Sequence, residues 1–230
     1  MEKFTFEPTS LSDLISTSYF TVPKYQRSFA WDSDETKDYW NDMVSAIESG
    51  DEYFLGNIVL TRNSADNTCS IIDGQQRIAT TTILNAAIRD IFKAENEADD
   101  AYTIQHEHVY ALDTSKGKKN QRIRLNEIDN PFYQRLLIDK VEVSPDRESH
   151  VLIKKAYDYF LDQLQNLKAK NPDSWKEEFA KIAFFLKSQS KVVAVYAATD
   201  ADAFFIFETL NDRGANLTIA DLLKGNYILN

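Results

Sequence analysis

Asp73-Gly74-Gln75-Gln76-Arg77 sets a carboxylate, a glycine, two amides and a guanidinium in a row between an apolar run and a helical pattern. The first turn of a helix has unpaired N–H groups and the positive end of the dipole, which suits an anion. Gly74 lets the backbone turn sharply and come close to a ligand. Gln75 and Gln76 add neutral donors and acceptors, and Arg77 supplies a planar fork matched to phosphate. Asp73 suits a divalent cation, magnesium being the expected one, or a water beside that phosphate. This is chemistry for a nucleotide or a phosphodiester. An N-cap at Asp73 and a surface arginine at Arg77 account for the same residues without chemistry. They leave the doubled glutamine unexplained.

Two other places carry related side chains. Tyr25, Gln26 and Arg27 lie in a stretch without helical period; alone, they also suit an aromatic strand end with a solvated arginine. Asn211, Asp212, Arg213 and Gly214 form a helix-stopping turn. A C-cap explains Asn211 and Gly214, whereas Arg213 suits either a polar site or solvent.

The elements that must hold these residues follow from periodicity and caps. Ser10, with Asp13 three residues on, starts a short helix. "YFTVPKYQRSFAW" (19–31) contains Pro23 and reads as extended. Asp32 or Ser33 caps a helix with Trp40, Met43, Val44 and Ile47 on its apolar face, closed by Gly50. Strands over 53–62 and 68–72 lead into the motif, and the helix after it buries Leu84, Ala87, Ile88 and Ile91. Residues 93–190 read as a mainly helical insertion, with helices across 147–167 and 174–188. A strand over 191–198 and helices from Asp200 and Thr218 complete a core begun by residues 1–92. The expected fold is α+β: a small mixed sheet, a large helical insertion and C-terminal helices.

Composition narrows the function. With 36 acidic and 26 basic residues, the net charge is −10, so the chain repels nucleic-acid backbones in general. The one basic cluster, "SKGKKNQRIR" (115–124), suits a solvated loop entering a strand or a phosphate-binding surface. A single cysteine, Cys69, rules out an intrachain disulfide framework. With no signal-peptide pattern and no membrane-length apolar run, it points to the cytoplasm and to no membrane partner. No P-loop, nucleophile elbow or zinc-spaced His/Cys set is present.

"VPKYQRSFAWD", "YFLGNIVL", "IIDGQQRIATTTIL" and "FETLNDRGANLTIADLLKGNYIL" together resemble the hallmark segments of the DGQQR-motif domain. That domain forms the N-terminal part of GmrSD-type modification-dependent restriction systems and related phage-defence proteins. The match spans 22–90 and 207–229, in the same order. The resemblance implies a ParB/sulfiredoxin-like fold and nucleoside-triphosphate binding and hydrolysis, coupled to recognition of modified DNA and to an HNH-type nuclease domain or subunit. Carried over, Asp73, Gly74, Gln75, Gln76 and Arg77 form the nucleotide site, with Asp73 as the metal ligand. Tyr25, Gln26 and Arg27 approach it, and Asn211, Asp212 and Arg213 close it. Ile78 and Ala79 replace the leucine and threonine common in similar sequences. No HNH histidine pair lies in this chain, so the resemblance does not extend to cleavage by these residues.

The leading expectation is therefore a triphosphate-hydrolysing sensor controlling a nuclease. A non-catalytic nucleotide-gated module and a metal-dependent nuclease using Asp73 and Asp212 are the rivals, and homo-oligomerisation stays open. The chain stops within an apolar helical pattern, which suggests a further segment downstream.

Overall fold

The computed structural model describes residues 4–63, 68–113 and 115–212. A six-stranded mixed sheet has the order β1-β8-β3-β4-β2-β7. Its strands are β1 (Phe4–Ser10), β2 (Tyr19–Thr21), β3 (Tyr53–Asn63), β4 (Thr68–Asp73), β7 (Ile123–Arg124) and β8 (Ser190–Ala197). β8 runs antiparallel to β1 and parallel to β3, while β3 and β4 are antiparallel. β2 lies parallel to both β4 and β7. β5 (Tyr110–Asp113) and β6 (Lys118–Gln121) form a separate hairpin.

Both faces of the central strands are covered, so their side chains alternate between two cores. Ile58 and Leu60 of β3, with Val192, Ala194 and Tyr196 of β8, enter the larger core. Val59, Val193, Val195 and Ala197 face the other way. There they meet Ala203 and Ile206 of α8 (Asp200–Asp212). The larger core also takes side chains from α1 (Leu11–Thr17), α2 (Ser33–Ser49), α3 (Gln75–Ala94), α6 (Glu148–Lys170) and α7 (Trp175–Phe184). The fold class is thus α+β with a mixed sheet. Segment 93–190 contributes β7 to that sheet and α6 to the same core, alongside α4 (Ala98–Ile104), α5 (Asn130–Tyr133) and the β5–β6 hairpin.

Local signals placed the early helices. Asp13 N–H donates to Ser10 Oγ at 3.0 Å. Asp32 caps α2 in a reciprocal box with Glu35, and Gly50 ends it in the left-handed region at φ = +76°. At α8 the sequence offers Asp200 as the cap, but the structure uses another residue. Asp202 N–H donates to Thr199 Oγ1 and Ala203 N–H to the Thr199 carbonyl, so Thr199 caps and Asp200 is released for other contacts. β1 carries no strand signal that the sequence made plain; it is an edge strand fixed by pairing with β8.

Candidate functional site

β4 ends at Asp73, and α3 begins two residues later. Gly74 makes the turn at φ = +95°, where a Cβ would come within 2.9 Å of the Ile58 side chain. Only glycine meets both demands without strain. Gly74, not Asp73, is the N-cap of α3, and no side chain caps this turn. Asp73 Oδ2 instead accepts from Arg77 Nη2 at 3.2 Å.

Arg77 is turned inward. Its Nη1 donates to the Leu55 carbonyl at 2.5 Å. Its side chain is 19% exposed, and burial lowers its pKa from the ordinary value, opposed by the Asp73 carboxylate. The guanidinium thus ties the start of α3 to β3.

The paired glutamines reach across to the loop after β2. Gln75 Nε2 donates to the Arg27 carbonyl at 3.2 Å. Gln76 Nε2 donates to the Ser28 carbonyl at 3.2 Å, and Gln76 Oε1 accepts from Ala30 N–H at 3.0 Å. Both residues are buried. Gln26 Nε2 completes the clasp by donating to the Ile72 carbonyl at 2.8 Å. The doubled glutamine is a main-chain clamp on the segment that carries Arg27.

Arg27 itself is exposed and has no side-chain partner among the described residues. With Asp73, Gly74 and Arg77 it lines a cleft of about 440 Å³, whose wall also includes Trp31 and Phe207. Tyr25 lies off this wall. Its hydroxyl donates to Asp200 Oδ2 at 3.2 Å, and its ring lies 5.4 Å from that of Phe204. Asn211 and Asp212 end α8 beyond Phe207, but their side chains, and all of Arg213, lie outside the described residues.

Several supporting residues escaped the sequence reading. Asp129 is buried, accepts from Phe29 N–H at 2.8 Å and from Ser149 Oγ at 2.6 Å, and so anchors the loop from the far side. Asp200 also accepts from Thr61 Oγ1 at 2.8 Å, which joins α8, β3 and Tyr25. Neither has a local signal. Gly56 has one, a glycine inside a strand pattern, which marks a bulge or a close approach.

The basic cluster is largely consumed by its surroundings. Arg122 donates to the His106 carbonyl, Lys119 to Asp139, and Lys116 pairs with Asp113. A larger groove of about 800 Å³ lies between α3 and α6. Its wall holds the Asp90–Lys140–Tyr157 network and no motif residue. No group of three metal-ligating side chains exists among the described residues. Among the described residues, Asp73 is the one carboxylate that the cleft offers a cation directly.

Fold and cleft define an α+β domain with a polar, aromatic-walled pocket at a strand–helix junction. Residues 11–228 match the family "GmrSD restriction endonuclease, N-terminal domain", and the chain belongs to that family. Membership makes it a component of a restriction, or phage-defence, system. No curated protein matches the chain. Among the described residues, no helix is long and apolar enough to cross a membrane.

Proposed function

We propose that the domain binds and hydrolyses a nucleoside triphosphate in the β4–α3 cleft and thereby controls a DNA nuclease in another domain or subunit. The observation that carries this reading is Arg27: an exposed guanidinium, unpaired among the described residues, whose main chain is clamped beside a helix start that none of the described side chains caps. Free N–H groups, a positive dipole end and a nearby cation together make a polyanion site. The α3 N-terminus and Arg27 hold the phosphates. The Arg77–Asp73 pair shapes the wall and keeps Asp73 oriented toward them. A magnesium ion, if bound, would neutralise phosphate charge, with Asp73 as its protein ligand and phosphates and water as the rest. Asp73 also suits the role of holding the attacking water. Modified DNA is recognised by the assembled system, since the domain's own charge of −10 opposes a broad DNA contact.

A second reading, a nucleotide-gated module without hydrolysis, draws support from the engagement of Gln75, Gln76 and Arg77 by the protein's own groups. Triphosphate titration and phosphate release with the parent, Arg27→Ala and Asp73→Asn decide between these outcomes. Loss of a charge-assisted contact of about 1.5–3 kcal/mol predicts at least tenfold weaker binding for Arg27→Ala. Asp73→Asn should bind but release little phosphate. Binding without release by the parent favours the gated module, and unchanged Arg27→Ala binding defeats both readings.

A further inference from the structure

One member of the basic cluster is not a surface residue. Arg122 is 7% exposed, and its Nε and Nη2 both donate to the His106 carbonyl, at 3.1 and 2.9 Å. Its Cζ lies 4.8 Å from the centroid of the Tyr19 ring, so the guanidinium is held from two directions. The other inward-turned arginines have a carboxylate: Arg77 has Asp73, and Arg89 has Asp90. Arg122 has none within ion-pair distance among the described residues, and Glu107 acts on it only as a longer-range charge. A guanidinium taken out of water without a counter-ion is costly, and an anion beside it offsets that cost.

Arg122 lines a cavity of about 630 Å³ bordered by α1, α3, α4 and α7. With the Nε–Nη2 edge of the fork spent on His106, its Nη1–Nη2 end is left over. Nη1 has no partner among the described residues and, unlike Nη1 of the fully buried Arg89, is not sealed from solvent. The rest of the wall limits what can bind. Ile88, Phe92, Phe179 and Leu186 give it an apolar side. Asp13, Asp100 and Glu107 offset the charges of Arg122, Lys176 and Lys187, so a polyanion gains little here. A single carboxylate matches the free end of the fork.

We propose that this cavity binds a small monocarboxylate with an apolar body, the carboxylate on Arg122 and the body against Ile88, Phe92 and Phe179. Its volume lies within the usual range for small-molecule sites, and its lining has their usual make-up of apolar walls with a few placed polar groups. The site shares no wall residue with the β4–α3 cleft and does not depend on the triphosphate reading.

The test is a methyl NMR titration of the full chain with phenylpropionate, its neutral amide phenylpropionamide, acetate and inorganic tripolyphosphate. Phenylpropionate should shift the methyl signals of Ile88 and Ala183, both in the wall, and the shift should saturate. It should bind roughly tenfold tighter than the amide, which lacks the charge, and than acetate, which lacks the body. Tripolyphosphate should leave these signals unmoved. Arg122→Met should weaken phenylpropionate binding roughly tenfold or more, and Lys187→Gln should bind like the parent. Equal affinity for acid and amide, parent-like binding by Arg122→Met, or no saturable shift with phenylpropionate overturns the proposal. So does an equal response to tripolyphosphate, or a loss in Lys187→Gln as large as that in Arg122→Met. The comparison of acid, amide and acetate uses the parent alone, so it decides even if Arg122→Met fails to fold.

Discussion

A Cβ on Gly56 would lie 2.5 Å from Nη1 of Arg77, at a backbone position with φ = +94°. The strand glycine and the motif arginine therefore fit only together. Gly56→Ala should lower stability by about 1–3 kcal/mol from backbone strain alone, and more from the collision. Arg77 cannot swing away freely, because Leu55 and Asp73 hold it. Adding Arg77→Ala to Gly56→Ala removes the collision, so urea midpoints should show the double variant losing less than the sum. Strict additivity would mean that the two residues are not coupled.

The two cleft arginines should separate by stability. Arg77→Ala strips the donor from the Leu55 carbonyl and from Asp73, at a cost of about 1–3 kcal/mol. Arg77→Lys keeps charge but not the fork, and should fall between alanine and parent. Arg27→Ala removes no side-chain contact among the described residues and should stay within about 0.5 kcal/mol of the parent. Equal losses at both positions, measured by denaturant unfolding, would assign Arg27 a structural role.

The clamp on the 28–30 segment predicts amide-specific changes. Phe29 N–H is held by Asp129 and Ala30 N–H by Gln76. Asp129→Ala should expose the Phe29 amide to faster hydrogen exchange, and Gln76→Leu the Ala30 amide. Exchange read residue by residue checks this. Identical acceleration of both amides in either variant would mean that the loop opens as one unit.

His108 makes the fold acid-sensitive. Burial, then the Arg122 charge, lowers its pKa to about 4. The unfolded chain takes up this proton near the ordinary value of about 6.5, so it binds more protons than the folded one between those limits. The stability is thus full above about pH 6.5 and is lost as pH falls toward 4. A shift of that size corresponds to roughly 3 kcal/mol. In His108→Gln, unfolding free energy measured across this window should vary less with pH than in the parent.

Much of the local structure was legible because its causes are local. Ser10 and Asp32 have the right neighbours three residues on, and Gly50 has the right freedom. The motif could be found as strand, glycine, donors and helix, but not the division of labour inside it. Which arginine stays free depends on Gly56 and Leu55 from a different strand. What the glutamines hold depends on a loop that only the tertiary fold brings near. The same holds for α3, read as one apolar stripe. Thr80, Thr81, Thr82 and Arg89 are also fully buried, because other elements cover its remaining sides; Thr81 and Thr82 bond α3's own carbonyls one turn back, and Arg89 Nη2 the Leu137 carbonyl.

The position of β8 has a consequence for how the molecule comes into being. Residues 190–197 sit between β1 and β3, so edge strand β1 is attached to the rest of the sheet only through a strand that comes late in the described chain. During synthesis, at about 5–20 residues per second, β1 and β3 emerge early and wait with open edges until β8 arrives. Pairings this distant in sequence are slow to close. The nascent domain therefore spends most of its synthesis without the strand that ties β1 to β3, and its β4–α3 cleft, walled by Phe207 from the helix after β8, takes shape only once β8 and that helix have emerged.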